Sequence, residues 1–192
     1  MRQASARTPR KDALRNRERV LAAALELVRR DGESVPMAQI AEVAGVGVGT
    51  LYRHFPTRED LLAELVYRSF GIALENARAA ASHPGSALEG VREFFSATLR
   101  DRERFLLPAH GRPRIFTPAI RKRQSDIRTA LRTLLDRGQA TGEIRADLTP
   151  EDLIVSASLL SRPLPVQGKW DVLAHRQIDL IINGLTPSCS AD

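Results

Sequence analysis

Residues 45–60 read Gly-Val-Gly-Val-Gly-Thr-Leu-Tyr-Arg-His-Phe-Pro-Thr-Arg-Glu-Asp, and the reading of this stretch decides the fold. Leu51 and Phe55 stand four apart, so in a helix they share one stripe and anchor it. Val48 with Tyr52, Gly49 with Arg53 and Thr50 with His54 have the same spacing and cover the remaining surface. An ordinary solvent-facing helix would fill that surface with Glu and Lys. Here no acidic residue occurs between Ala44 and Glu59. Glycines let a backbone approach a partner closely, while Tyr, Arg and His donate to phosphate. The stretch reads as a recognition helix that enters a DNA groove.

What precedes it agrees. Pro36 suits the first position of a short helix, where a missing N–H costs nothing. Met37, Ile40, Ala41 and Ala44 then keep helical spacing. Gly45 suits the left-handed turn that ends that helix, and Gly47 is an acceptable N-cap for the next. Helix, glycine turn, helix is a helix-turn-helix arrangement. The plainer alternative is a helical hairpin with a glycine-rich corner.

Three strings in register extend this. Ile40-Ala41-Glu42-Val43-Ala44-Gly45-Val46, Gly49-Thr50-Leu51-Tyr52-Arg53-His54-Phe55 and Thr57-Arg58-Glu59-Asp60-Leu61 resemble the tetracycline-repressor-type (TetR) transcriptional regulators, over roughly residues 15–65. The resemblance implies an all-α homodimer. Its N-terminal three-helix helix-turn-helix domain would bind DNA, and a C-terminal helical bundle would bind an effector and dimerise. It also implies that Arg58 takes the place of a basic residue that contacts phosphate. The set expected to face DNA is Met37, Ala38, Gly47, Val48, Gly49, Thr50, Tyr52, Arg53, His54 and Arg58. The chain departs from the family pattern at Gly47, where Ser is common, and at Val48, where a polar or basic residue often reads bases. Ala38 stands where some members carry an arginine. Fewer polar contacts point to readout by thymine methyls and DNA shape.

Charge placement supports a nucleic-acid partner. Residues 1–58 hold eleven Lys/Arg against six Asp/Glu, whereas residues 59–192 hold eighteen against seventeen. The excess therefore sits with the expected DNA-reading part. No basic amphipathic helix with aromatic anchors suggests a membrane surface, and no apolar stretch is long enough to span a bilayer. The basic start has no apolar block and cleavage site after it, so no signal peptide is read. Cys189 is the only cysteine, which excludes an intrachain disulfide and fits a cytoplasmic protein. Residues 1–13 are expected to be a disordered basic tail, either solvated or adding phosphate or minor-groove contacts.

The domains are expected at 1–62 and 63–192. A first helix over about 12–30 carries Val20, Ala24, Leu27 and Val28 as its core stripe and Arg15, Arg19 and Arg29 on its wet face. Thr57 to Asp60 is a capping box that opens a long helix toward Ala81, shared between the domains as a lever. His83-Pro84-Gly85 stops it, and Ser86 to Glu89 opens the next helix by the same device. A short helix over 101–107 and a loop over 108–117 follow. Thr117-Pro118 then starts a helix with Ile120, Ile127, Ala130, Leu131, Leu134 and Leu135 apolar, and Arg121-Lys122-Arg123 reads as its solvated face. Thr149-Pro150 starts another, which Pro163, Pro165 and Gly168 end. A last helix spans about 170–184. Its apolar stripe is wider than a monomer needs, and in the resembled family the final two helices form the dimer interface. Leu153, Ala157, Leu160, Leu173, Leu180 and Ile181 are the residues expected there.

Catalytic chemistry is not visible. His54, His83, His110 and His175 are scattered without metal-ligand spacing, Gly45, Gly47 and Gly49 follow a helix rather than a strand, and nothing assembles a triad. No catalytic residue, metal or cofactor is expected. The sequence reading is a regulator, typically a repressor, that binds a pseudo-palindromic double-stranded operator as a homodimer and is released by a small, largely apolar effector. The effector pocket is placed at Phe94, Phe95, Thr98, Leu99, Ile127, Leu131 and Leu160, which could equally be plain core. Two alternatives stand beside it: a DNA-binding regulator without an effector, and a helical small-molecule-binding protein with a vestigial motif.

Overall fold

The computed structural model describes residues 9–106, 117–163 and 169–187. Among them the chain forms only helices: α1 (Pro9–Asp31), α2 (Met37–Ala44), α3 (Val48–His54), α4 (Arg58–Ala81), α5 (Ala87–Arg100), α6 (Pro118–Ala140), α7 (Pro150–Leu160) and α8 (Trp170–Leu185), with a 3-10 turn at Arg102–Arg104. The expected all-α class holds. The contacts divide the chain into two units whose border in α4 lies between Tyr67 and Arg68, further along the helix than the 62/63 border read from the sequence. Leu106 belongs with the first unit and packs on its core.

The first unit is built on α1. This helix starts at Pro9 rather than at 12, so residues 9–13 of the expected tail are helical. Proline is tolerated in a first turn, and Asp12 there complements the helix dipole. Residues 1–8 of the tail, the loop residues Pro108, His110, Gly111 and Pro113, the breakers Pro165 and Gly168, and Cys189 lie outside the described residues. Val20, Ala24, Leu27 and Val28 are all buried and meet Ile40, Ala41 and Ala44 of α2, Leu51 and Phe55, and Leu61, Leu62 and Leu65 of α4. Pro36 is the N-cap of α2 rather than its first helical residue, with extended backbone and no side-chain cap.

The second unit packs α5 against α6, α7 and α8 around Phe94, Phe95, Leu131, Leu134, Leu135, Ile178 and Ile182. Two glycines permit close approaches to backbone and to packed core side chains. A methyl on Gly90 would stand 2.7 Å from the Ala80 carbonyl oxygen, and one on Gly138 would stand 2.6 Å from Ile144 Cδ1. The Ser86–Glu89 capping box forms as read: the Ser86 amide donates to Glu89 Oε2 at 2.8 Å, and the Glu89 amide donates to Ser86 Oγ at 3.2 Å. At the end of α4, Arg137 donates to the carbonyl oxygens of Ala81 (3.4 Å), His83 (3.0 Å) and Ser86 (3.5 Å), which answers the negative end of that helix. No described helix is long and apolar enough to cross a membrane.

Candidate nucleic-acid interface

The turn into α3 is set by Gly45, whose φ of 60° is left-handed. Its N–H bonds back to α2, and the Val46 N–H reaches the Ala41 carbonyl at 3.0 Å, which closes the helix end. Gly47 has extended backbone at the N-cap of α3, and its carbonyl accepts from the amides of Thr50 (2.8 Å) and Leu51 (3.1 Å). Leu51 and Phe55 are buried as the spacing required. The opposite side is open: Gly47, Val48, Gly49, Tyr52 and Arg53 are exposed, and Thr50 and His54 are half-buried. A methyl added to Gly49 would touch nothing within 4 Å. The fold itself therefore does not require glycine at 49, and the smoothness it leaves is available to an outside surface.

α2 contributes less than expected. Ala38 is exposed, but the Met37 side chain lies in the core and leaves only backbone to offer a ligand. The correction follows from helical geometry, since Met37 shares a stripe with Ile40, Ala41 and Ala44. Arg58 is also placed differently. Its side chain does not project from α4. Instead Nη1 donates to the Glu33 carbonyl at 2.9 Å and to the Val35 carbonyl. The capping box beside it forms as read, with Asp60 accepting from the Thr57 amide (3.1 Å) and hydroxyl (2.7 Å).

Much of the basic excess of this unit has internal partners. Arg17 pairs with Glu64 at 3.1 Å and lies 5.2 Å from the Phe55 ring centroid. Arg19 donates to the Gly45 carbonyl (2.9 Å), Arg30 pairs with Asp31 (2.7 Å), and Arg53 donates to the Gly49 carbonyl within α3 (3.2 Å). Hydrogen bonding to Arg30 holds the Asp31 carboxyl below the usual carboxylate range. Charge counting located the unit correctly but did not show which arginines face outward.

In the second unit the expected effector residues do come together. Phe94, Phe95, Leu99, Ile127, Leu131 and Leu160 join one cluster in which Phe95 and Leu131 are fully enclosed, and the two phenyl rings sit 5.9 Å apart. Thr98, the expected polar handle, donates its hydroxyl to the Phe94 carbonyl at 2.7 Å. An open groove of about 400 Å³ lies elsewhere, between Arg78, Ala81 and Ser82 of α4 and Asp126, Thr129, Ala130 and Thr133 of α6. It shares none of the expected residues.

The expected dimer set needs correction. Leu153, Ala157 and Leu160 are buried in their own bundle, and Leu173 and Ile181 are half-buried. Leu180 is exposed as the expected interface requires. Val172, part of the wide apolar stripe of α8, is exposed too, as are Val155 and Leu159 of α7, which the sequence reading passed over. The signal was present: 155 and 159 are four apart and offset by two from 153 and 157, so they occupy the other side of α7. Among the described residues no group of three or more His, Cys, Asp or Glu is placed to hold a metal ion.

A short helix anchored by two buried residues, entered through a glycine turn and open on its other side, makes the first unit a helix-turn-helix module, the architecture of DNA-binding proteins. Comparison with known proteins agrees. Residues 20–65 match the model of the bacterial regulatory proteins of the tetR family, and residues 77–187 match that of the C-terminal domain of SbtR-like transcriptional regulators. An HTH-type transcriptional regulator of Staphylococcus aureus (strain bovine RF122 / ET3-1) is 43% identical over 60 residues, 31% of this chain and 32% of that protein. The chain thus matches about a third of the length of such curated relatives. A solved TetR transcription regulatory protein from Mycobacterium vanbaalenii is 26% identical and superposes with a TM-score of 0.61, over 94% of this chain and 100% of that one. AibR, solved in complex with isovaleryl coenzyme A and operator DNA, shares the fold at a TM-score of 0.72 and 18% identity, over 90% and 98% of the two chains. The second model alone spans more than half of the sequence, and the chain belongs to the tetR family of transcriptional regulators.

Proposed function

We propose that this protein is a sequence-specific DNA-binding regulator, acting in the cytoplasm as a homodimer and repressing transcription until a small molecule releases it from its operator. The observation that carries the DNA reading is the open side of α3. Val48, Gly49, Tyr52 and Arg53 are exposed together while Leu51 and Phe55 anchor the helix from beneath. Two such helices related by a two-fold axis would read a pseudo-palindrome. Support for dimerisation comes from Val155, Leu159, Val172 and Leu180, four large apolar side chains exposed on the last two helices. Selection of duplexes from a random pool by the full chain tests the DNA reading. The expected result is an enriched site with two inverted half-sites, and a pool without enrichment overturns it.

The effector part has two readings. In the first, a largely apolar molecule enters among Phe94, Phe95, Leu99, Ile127, Leu131 and Leu160 and favours one arrangement of the dimer, shifting DNA affinity by its differential affinity for the two states. AibR, solved with both isovaleryl coenzyme A and operator DNA, supports such a scheme by shared fold. In the second, the helical bundle only dimerises. Its support is that these side chains already fill the core and Thr98 has a partner within its own helix.

A further inference from the structure

We propose that Arg19 and Arg58 form a clasp on the two ends of α2 and are positioning residues for DNA recognition, setting where α2 and hence α3 are held. This rests on the DNA-binding reading above. The two helices of the motif are eight and seven residues long, too short to be stable alone. Neither has a side-chain N-cap bond, neither has an acid in its first turn, and α2 has no base in its last. The apolar stripe of α2 fixes which side faces inward. A stripe of Met37, Ile40, Ala41 and Ala44 still allows small slides and rotations, because apolar contact is not directional.

The directional bonds come from outside the motif. Ahead of α2, Arg58 Nη1 donates to the carbonyls of Glu33 and Val35, which tethers the incoming loop to the first turn of α4. Behind α2, Arg19 Nη2 reaches from α1 to the Gly45 carbonyl at 2.9 Å and brings a positive charge to the negative end of the helix. Gly45 holds its turn through a left-handed φ, and the absence of a side chain leaves room for this contact. A methyl there would stand 2.2 Å from Arg19 Nη2, so a larger residue would make the guanidinium shift from this position. A planar guanidinium fixes direction at an acceptor as an ammonium does not.

The test uses the full chain with two duplexes, one enriched by the wild type from a random pool and one unrelated. Arg19→Gln, Arg58→Gln and Arg58→Lys are compared, each checked by far-UV circular dichroism. Arg58→Lys keeps the charge and carries the test if a glutamine variant does not fold. The expected loss on the enriched duplex is about tenfold or more, against less than about threefold on the unrelated one, the pattern of lost discrimination rather than lost phosphate contact. The salt slope should stay as in the wild type, and Arg58→Lys should resemble Arg58→Gln. Equal losses on both duplexes with a slope lower by about 1 per arginine would make these phosphate contacts and overturn the proposal. So would variants that discriminate like the wild type, or full recovery in Arg58→Lys. A wild type that enriches no duplex overturns the DNA reading and the clasp together, whereas enrichment with unaffected variants overturns the clasp alone.

Discussion

Leu159→Glu and Ala157→Glu sit two residues apart on α7 and should fail in opposite ways. Leu159 is 68% exposed in the single chain and Ala157 is 3% exposed. Burying a whole leucine side chain stabilises by about 1.5–3 kcal/mol, so the exposed two-thirds of Leu159 stands for about 1–2 kcal/mol. A two-fold interface counts each position twice, giving about 2–4 kcal/mol, or roughly 30- to 700-fold in the dimer dissociation constant. Two carboxylates brought toward one apolar interface can only add to that loss. In Ala157→Glu the carboxylate would instead enter the chain's own core unpaired, so the bundle itself loses stability, by at least a few kcal/mol. Sedimentation over a range of protein concentrations, with thermal unfolding followed by circular dichroism, separates the two. Leu159→Glu should sediment as a folded monomer near the wild-type melting temperature extrapolated to low concentration, and Ala157→Glu should melt early. If Leu159→Glu sediments as the wild type does, the exposed face of α7 and α8 is not the interface.

Phe95→Ala removes a fully enclosed ring and should cost about 3–5 kcal/mol in a denaturant titration. Leu131→Trp at an equally enclosed position should cost about 1–3 kcal/mol by overpacking. An unchanged or raised melting temperature for that variant would mean that space opens there in solution, which favours the effector pocket over plain core. At the start of α7, Asp152 accepts from the Thr149 hydroxyl (2.7 Å) and amide (2.8 Å), and these bonds hold its carboxyl below the usual carboxylate range. A carboxyl lowered in the folded state stabilises above its unfolded pKa, and that contribution disappears as pH falls through the folded value. Asp152→Asn should therefore melt below the wild type at neutral pH, with the gap closing in acid; a gap that stays constant would deny Asp152 this role.

How much of this could be read from the sequence follows the range of each interaction. The two capping boxes read at Thr57 and Ser86 join residues three apart, and both form. Gly45 is likewise local, and its left-handed turn is where the sequence places it. Arg19 and Arg58 were read as a wet-face residue and a phosphate contact, because their acceptors lie more than twenty residues away and depend on how the helices pack. α7 shows a different limit. Leu153, Ala157 and Leu160 on one side and Val155 and Leu159 on the other are all apolar, so periodicity reveals two apolar faces without saying which meets the chain's own core. Met37 was misplaced for a simpler reason: its position in the motif suggested DNA, while its place on the α2 stripe buried it.

Recognition by the open side of α3 is most directly tested by binding of Tyr52→Ala to the duplex enriched by the wild type and to an unrelated one, followed by fluorescence anisotropy. Tyr52 is 46% exposed and belongs to neither hydrophobic core, so its removal should leave the fold intact. The expected result is a loss of roughly 1–3 kcal/mol on the enriched duplex, with the unrelated duplex bound nearly as before. Undiminished affinity for the enriched duplex, from a folded variant, would contradict recognition through this face.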